Sequence, residues 1–302
     1  MSEHRSGFVS IVGRPNTGKS TLLNALVGEK VAIVSEKPQT TRTTIQGVLT
    51  TAGAQIVFLD TPGIHRSDTL LNRRMMDSVR EALDQRDLVL FVADASASFS
   101  EHDTQAVDLV RRVEAPVFLV LNKIDRVSDK RLLLPCIEQY KALREFADYL
   151  PVSALTGEGI EDLTRSISAA LPEGPEYFPP DHVTDQPSRF LAAELIREKI
   201  LAATRQEVPH AVAVIIDEWD EKRRLLRISA TVLVEREGQK GIIIGAKGAM
   251  LKTIGTQARE EIERILSRRV FLQLHVKVHP GWRENPQFLG AVDWRDSTRS
   301  EE

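Results

Sequence analysis

The chain has 302 residues, 42% of them hydrophobic and 27% charged, and a net charge of −3. That length exceeds one ordinary domain and suits two, each able to bury a core. Cys136 is the single cysteine, which excludes an intrachain disulfide and a cysteine-based zinc site and fits a reducing compartment. No stretch approaches the ~20 apolar residues of a membrane span, and no long apolar run follows the first basic residues. A soluble chain without a secretory signal, at most a peripheral visitor at a membrane, is therefore expected.

In chain order, residues 8–12, 55–59, 88–93, 117–121 and 149–152 are short, near-continuous apolar runs, the pattern of parallel strands buried on both faces. Amphipathic stretches at 20–27, 70–83, 104–113, 130–146 and 160–171 alternate with them. This alternation predicts an α/β domain with a mostly parallel, doubly wound sheet over 1–172. Residues 45–51 are expected as one more strand, antiparallel at an edge. After Pro172 ends the last helix, a Pro-rich connector at 173–188 carries Pro175, Pro179 and Pro180. From Arg189 the pattern changes to helix 190–202, strand 211–218, charged turn 220–224, strand 225–236, a glycine loop, helix 250–266 and strand 270–278. Helices on one side of a three-stranded sheet would make a smaller α+β domain over 189–282. Residues 283–302 are charged and aperiodic and are expected to be a loosely ordered tail.

The most specific motif is Gly13-Arg14-Pro15-Asn16-Thr17-Gly18-Lys19-Ser20, which lies between the first strand and the first helix and continues into Thr21. This is the form of a nucleotide-binding P-loop. Its glycines let the backbone wrap a phosphate chain, its amides point inward, and the helix N-terminus favours the negative charge. Lys19 is expected on the β- and γ-phosphates and the Ser20 hydroxyl on Mg²⁺. Forty residues beyond Ser20, Asp60-Thr61-Pro62-Gly63 ends the second parallel strand. There Asp60 can hold the cation and the Gly63 amide can sense the γ-phosphate, which makes Lys19, Thr41, Asp60 and Gly63 the candidate catalytic group. Gln39-Thr40-Thr41-Arg42 lies between them, and a switch segment there needs a hydroxyl on Mg²⁺. Thr41 is the first choice and Thr40 the alternative.

Asn122-Lys123-Ile124-Asp125 follows a buried strand and selects the base. A carboxylate at Asp125 accepts from both N1–H and the exocyclic amine of guanine, and adenine would leave it unpaired. Lys123 is expected along the base plane, and Asn122 as a pin for the loop. Ser153-Ala154-Leu155 would offer the Ala154 amide to guanine O6. Ile64 stands where many switch GTPases place a water-orienting glutamine, which implies slow unassisted hydrolysis. Asn16 is a residue type linked in some families to a potassium ion that replaces an arginine finger.

Far downstream, Gly245-Ala246-Lys247-Gly248 follows an apolar turn (Ile242, Ile243, Ile244) and opens a long helix. Between Arg236 and Arg283 there are ten Lys and Arg against four Asp and Glu, so this segment is positive by six while the rest of the chain carries minus nine. A side-chain-free turn beside cations is how KH domains clamp a nucleotide backbone. Lys247, Lys252, Arg259, Arg268 and Arg269 would neutralise phosphates. Trp282 is expected either to stack on a base or to cap a core, and His275 and His279 to lie on a strand surface.

Together, segments 13–20, 39–42, 60–63, 122–125 and 234–255 resemble the bacterial Era-type GTPases over nearly the whole chain, with Thr17 where that family often has Val. The resemblance implies a P-loop GTPase domain followed by a type II KH domain, with GTP or GDP held together with Mg²⁺. It also implies binding of the 3′ end of 16S ribosomal RNA, a part in small-subunit assembly, a monomer, and a cytoplasmic location with some contact at the inner face of the membrane. The residues by themselves also leave open a membrane-surface GTPase switch whose basic C-terminal domain binds protein or lipid, and a GTPase that aids RNA modification.

Overall fold

The apolar runs of the first half become a six-stranded sheet. In the computed structural model, which describes residues 4–293 except Pro38, 65–68, Gln85, 205–207, 209–210 and Arg223, its strands and helices alternate. They are β1 (Arg5–Val12), α1 (Lys19–Val27), β2 (Ile45–Thr50), β3 (Ala54–Asp60), α2 (Leu70–Leu83) and β4 (Leu88–Asp94). There follow α3 (Glu101–Val110), β5 (Val117–Asn122), α4 (Leu133–Lys141), β6 (Asp148–Pro151) and α5 (Ile160–Ala170). The strand order is β2-β3-β1-β4-β5-β6. Only β2, at the edge, runs antiparallel to its neighbour. Because β3 and β4 are buried along almost their whole length, they are apolar at nearly every position rather than at alternate ones. The parallel strands therefore end together at one edge, where Asp60, Asp94 and Asn122 are the last residues of β3, β4 and β5.

Two helices differ from the periodicity for local reasons. α3 begins at Glu101, three residues before the expected 104, because Ser100 and Asp103 cap it reciprocally; the Asp103 carboxylate accepts from the Ser100 amide at 2.9 Å. The expected helix 130–146 is a 3₁₀ turn at Lys130–Leu132 followed by α4. Pro135 lacks an N–H and is accommodated only in a helix's first turn, so α4 starts at Leu133.

The chain divides into two compact units, and the first continues past 172 to Asp185. The connector lies along the sheet edge. The Val48 amide donates to Val183 O at 2.8 Å, and the Gln55 side chain takes the Tyr177 and Phe178 amides at 2.6 and 3.0 Å.

The second unit takes in Ile33–Thr40, the start of α2 and the chain described from Gln186 on. Its elements are α6 (Ser188–Ala203), β7 (Ala213–Lys222), β8 (Leu225–Val234), α7 (Glu237–Ile244), α8 (Ala249–Leu266), β9 (Val270–Val278) and α9 (Pro286–Val292). The sheet is ordered β7-β8-β9, with the first pair antiparallel and the second parallel. Leu195 and Ile200 of α6 and Ile254, Ala258 and Ile262 of α8 share one core with Val214, Ile228 and Val232 of the sheet. The turn expected at 220–224 is shorter, since β7 runs to Lys222 and β8 starts at Leu225.

The expectation of a loose tail beyond Trp282 is corrected as far as the chain is described. Trp282 is fully buried, and its indole N–H donates to Ala211 O at 2.9 Å. It is a core residue and not a base-stacking one. α9 then starts at Pro286 in the first helical position, capped by the Asn285 side chain, which accepts from the Gln287 amide at 3.0 Å. Residues 294–302 of the expected tail lie outside the described residues.

Candidate nucleotide site and RNA groove

The loop from Gly13 to Ser20 turns at the end of β1 and delivers Gly18 as the N-cap of α1. Gly18 has φ 92°, and a β-carbon there would lie 2.3 Å from the Asn122 amide nitrogen. That nitrogen instead donates to Thr17 O at 2.8 Å, which ties the P-loop to the loop after β5. Lys19 is buried and its ammonium donates to the Gly13 and Arg14 carbonyls at 3.1 and 2.9 Å. Burial lowers its pKa to about 8, opposed by the charge of Asp60.

Asp60 is fully buried, and burial raises its carboxyl to about 6 against the pull of Lys19 and of hydrogen bonds from Ser20 and Thr41. The Ser20 hydroxyl donates to Asp60 Oδ2 at 2.6 Å and lies 2.8 Å from Thr41 Oγ1, which is itself 3.3 Å from the same carboxylate oxygen. Three hard oxygens thus converge, and Asp60 Oδ1 is buried with no hydrogen-bond partner. A hard divalent cation suits such a set. Thr40 points elsewhere, donating to Lys37 O at 2.6 Å. Gly63 passes so close to the P-loop that a β-carbon would sit 2.8 Å from Pro15 Cα. The Ile64 amide donates to Gly13 O at 3.2 Å, and its side chain packs against the core beneath α3. Thr61 is anchored through its hydroxyl to Ile11 O at 2.9 Å.

In the base loop, buried Ile124 anchors the turn while Lys123 takes φ 67°. The Lys123 ammonium reaches Asn16 O at 2.5 Å and Asp94 Oδ2 at 2.6 Å. Asp125 is exposed, and its Oδ1 accepts from the Ser153 hydroxyl at 2.6 Å. The Ala154 amide, expected at guanine O6, donates to Asn122 Oδ1 at 3.0 Å, and Leu155 is 73% exposed. Asp94 and Asp103 were not anticipated. Asp94 orients Lys123, and Asp103 holds the Arg14 guanidinium at 2.5 Å while accepting from Tyr140 at 2.7 Å. Asp94 could have been found as the last residue of a parallel strand, in register with Asn122. Asp103 had only its capping position as a signal.

In the second unit, Gly245 closes α7 with φ 70°, Lys247 takes φ 50°, and Gly248 caps α8 with φ 79°. Ala246, Lys247 and Lys252 are exposed. A groove of about 430 Å³ runs between Gly248, Lys252, Gly255 and Arg259 of α8 and Leu272, Gln273 and Leu274 of β9. Since β9 is an edge strand, one wall of the groove is open backbone. That wall was missed in the sequence; its signal is the alternating exposure from Val270 to Val278 beside the glycine turn. Arg259 is half-exposed and ion-paired to Glu263 at 2.8 Å. Arg268, expected on phosphates, pairs with Glu221 of β7 at 2.7 Å and does not line the groove.

Fold and geometry define a P-loop nucleotide-binding domain joined to a KH-type domain. Accordingly, the family described as 50S ribosome-binding GTPase matches residues 8–123, and the KH domain family matches residues 207–283. GTPase Era of Geobacter metallireducens is 51% identical over 96% of this chain and 98% of its own, and GTPase Era of Syntrophus aciditrophicus 50% over 97% and 96%. The chain belongs to the Era family of GTPases. Among solved structures, a variant of Aquifex aeolicus Era bound to GDP and aluminium fluoride superposes with TM-score 0.92 at 42% identity, covering 96% of this chain and 99% of that one. Era in complex with MgGDPNP and nucleotides 1506–1542 of 16S ribosomal RNA gives 0.93 at 41% identity, with the same coverage.

Proposed function

We propose that this GTPase binds GTP and GDP with Mg²⁺ in the site around Lys19, and single-stranded ribosomal RNA in the groove beside Gly245–Gly248. The observation that carries the nucleotide half is the cluster of Ser20, Thr41 and Asp60, with its one unpartnered carboxylate oxygen. These three residues would hold Mg²⁺, which would neutralise charge on the β- and γ-phosphates. Lys19 turns its ammonium from the P-loop carbonyls to the phosphates, and the Gly63 amide lies beside the loop that wraps them. Asp125 accepts from the guanine edge, with Asn122 and Lys123 fixing the loop that carries it. Ile64 brings no polar group to align water, so unassisted hydrolysis is slow, on the order of 10⁻⁴–10⁻³ s⁻¹. A potassium ion at Asn16 would speed it, which a comparison of rates in K⁺ and Na⁺ measures.

The RNA half rests on the groove, whose cations and open edge suit a single strand clamped by its backbone. The related Era structure with a 16S ribosomal RNA segment supports the 3′ end of that RNA as target, and assembly of the small ribosomal subunit as purpose. The family membership supports a cytoplasmic site of action. No helix among the described residues is long and apolar enough to cross a membrane. Contact with the inner face of the membrane is tested by flotation with anionic vesicles. For the central proposal, the full-length protein is titrated with an oligonucleotide of the 16S 3′ end and with a scrambled one, in GDP and in a GTP analogue. Preference for the first sequence supports it; equal binding of both removes ribosomal RNA as the target.

A further inference from the structure

One buried guanidinium lies outside every nucleotide motif of the sequence. Arg197 of α6 is 1% exposed. Its Nε and Nη2 donate to Glu194 at 2.7 and 2.5 Å, its Nη1 reaches Gln39 O at 3.5 Å, and its Nη2 also donates to Thr40 O. The next residue, Glu198, is also buried and accepts from the Val34 amide at 2.8 Å. Its second oxygen takes the Lys199 ammonium at 3.0 Å, which also pairs with Glu261 of α8. The segment from Ile33 to Thr40, part of the same compact unit as α6, is thus gripped at both ends by consecutive side chains of opposite charge. Ile33 is buried in the core of that unit.

A guanidinium withdrawn from water must have its N–H groups satisfied, and Glu194 alone does not do this. The carbonyls of Gln39 and Thr40 supply the remaining acceptors. Gln39 has φ 62°, an uncommon conformation for a non-glycine residue and one that its surroundings must hold. The Thr40 carbonyl belongs to the planar peptide group that carries the Thr41 amide, so fixing this oxygen fixes the plane from which Thr41 departs. Thr41 is the residue whose hydroxyl meets Ser20 and Asp60.

We infer that Arg197 is a positioning residue for the nucleotide site: it locks the Thr40–Thr41 peptide group so that the Thr41 hydroxyl faces the cation in the triphosphate state. Glu198 holds the other end of the segment. The inference rests on the assignment of Thr41 to Mg²⁺ made above. It predicts an effect on GTP that GDP does not share, because only the γ-phosphate state needs Thr41.

The test is a cycle in the full-length protein: Arg197→Gln, Thr41→Ala and both together, with GDP and a non-hydrolysable GTP analogue bound across an Mg²⁺ titration. Thr41→Ala is expected to lower the ratio of analogue to GDP affinity by about 10-fold or more, and Arg197→Gln to lower it by about 10-fold, the scale of a charge-assisted hydrogen bond. In the Thr41→Ala background the second change should add less than about 2-fold, because Arg197 acts through Thr41. Arg197→Lys should restore the ratio only in part, since one ammonium cannot serve two carbonyls and Glu194 in the same geometry. If Arg197→Gln does not fold, Arg197→Lys carries the cycle under the same criteria. Additive losses, or equal losses for GDP and the analogue, overturn the inference while leaving Thr41 in place. An unchanged ratio in Thr41→Ala alone overturns the Thr41 assignment, and the inference with it.

Discussion

At the proposed nucleotide site Lys19, Thr41, Asp60 and Asn122 are buried and hydrogen-bonded to one another or to nearby backbone, whereas in the proposed RNA groove Ala246, Lys247 and Lys252 are exposed and the facing strand is an edge. The first arrangement suits a ligand with one shape and fixed charges, for which pre-set donors lose little by reorganising. The second suits a polyanion with many conformers, where charge and close backbone approach matter more than any one bond. A single substitution should therefore be severe in the first region and graded in the second.

Lys19→Ala should test this contrast most strongly. Removing the buried cation proposed to meet the phosphates should weaken nucleotide binding by about 10²–10³-fold or more, and RNA affinity measured without nucleotide should not change. Fluorescent-nucleotide titration and RNA gel shift read the two effects. Asp125→Asn comes next, with a loss for GTP of about 10²–10³-fold, reduced from the fully buried case by its exposure. Xanthosine nucleotides should gain, because position 2 of xanthine carries a carbonyl that accepts from the Asn amide. Competition between GTP, XTP and ATP decides it, and equal affinity of the wild type for ATP and GTP would remove the guanine assignment.

In the RNA groove, Ala246→Asp with Lys247→Asp should lower RNA affinity by about 10–100-fold near 0.1 M salt and leave GTP binding within about 2-fold. Undiminished RNA binding would move the interface away from the glycine turn. Lys252→Ala should cost less and make the salt dependence shallower by about one charge.

Acidity offers a further test, confined to the nucleotide site. Asp60 must be ionised to hold a cation, and its carboxyl is raised to about 6, so Mg²⁺-dependent nucleotide affinity should fall about tenfold per pH unit well below that value. Lys19 loses its charge above about 8 in the free protein, so affinity should fall again as pH rises past that point. The same shifts act on folding with opposite signs. A raised Asp60 makes the folded state less stable as pH climbs from 3.8 through 6, and a lowered Lys19 makes it more stable between 8 and 10.5. A flat affinity from pH 5 to 9 would show that neither group titrates in that window and would remove both shifts as the cause of any pH dependence. The smallest effect is expected from Ile64→Ala, below about 3-fold in basal hydrolysis, since no polar group is lost.

Local chemistry was enough to reveal the alternation of strands and helices, the P-loop, Asp60, the Asn122–Asp125 loop and the glycine turn, because each depends on a backbone conformation or donor set that few residue types can supply. Strand β9 and helix α2 could be read to the residue, since their apolar spacing has one consistent period. Helix boundaries at α3 and α4 required the capping pair and Pro135, which act within one turn and outweigh the longer hydrophobic pattern. Tertiary structure alone decided which polar groups meet. Asp94 and Lys123 are 29 positions apart, Asp103 and Arg14 are 89 apart, and Arg197 and Thr40 are 157 apart, and none of these pairs has a local signature. It also decided that Trp282 belongs to a core, that Arg268 serves a hairpin, and that the Ala154 amide is already engaged. Spacing along a chain reports the conformation of its own segment, whereas a hydrogen bond between distant segments exists only once the cores beneath both are packed.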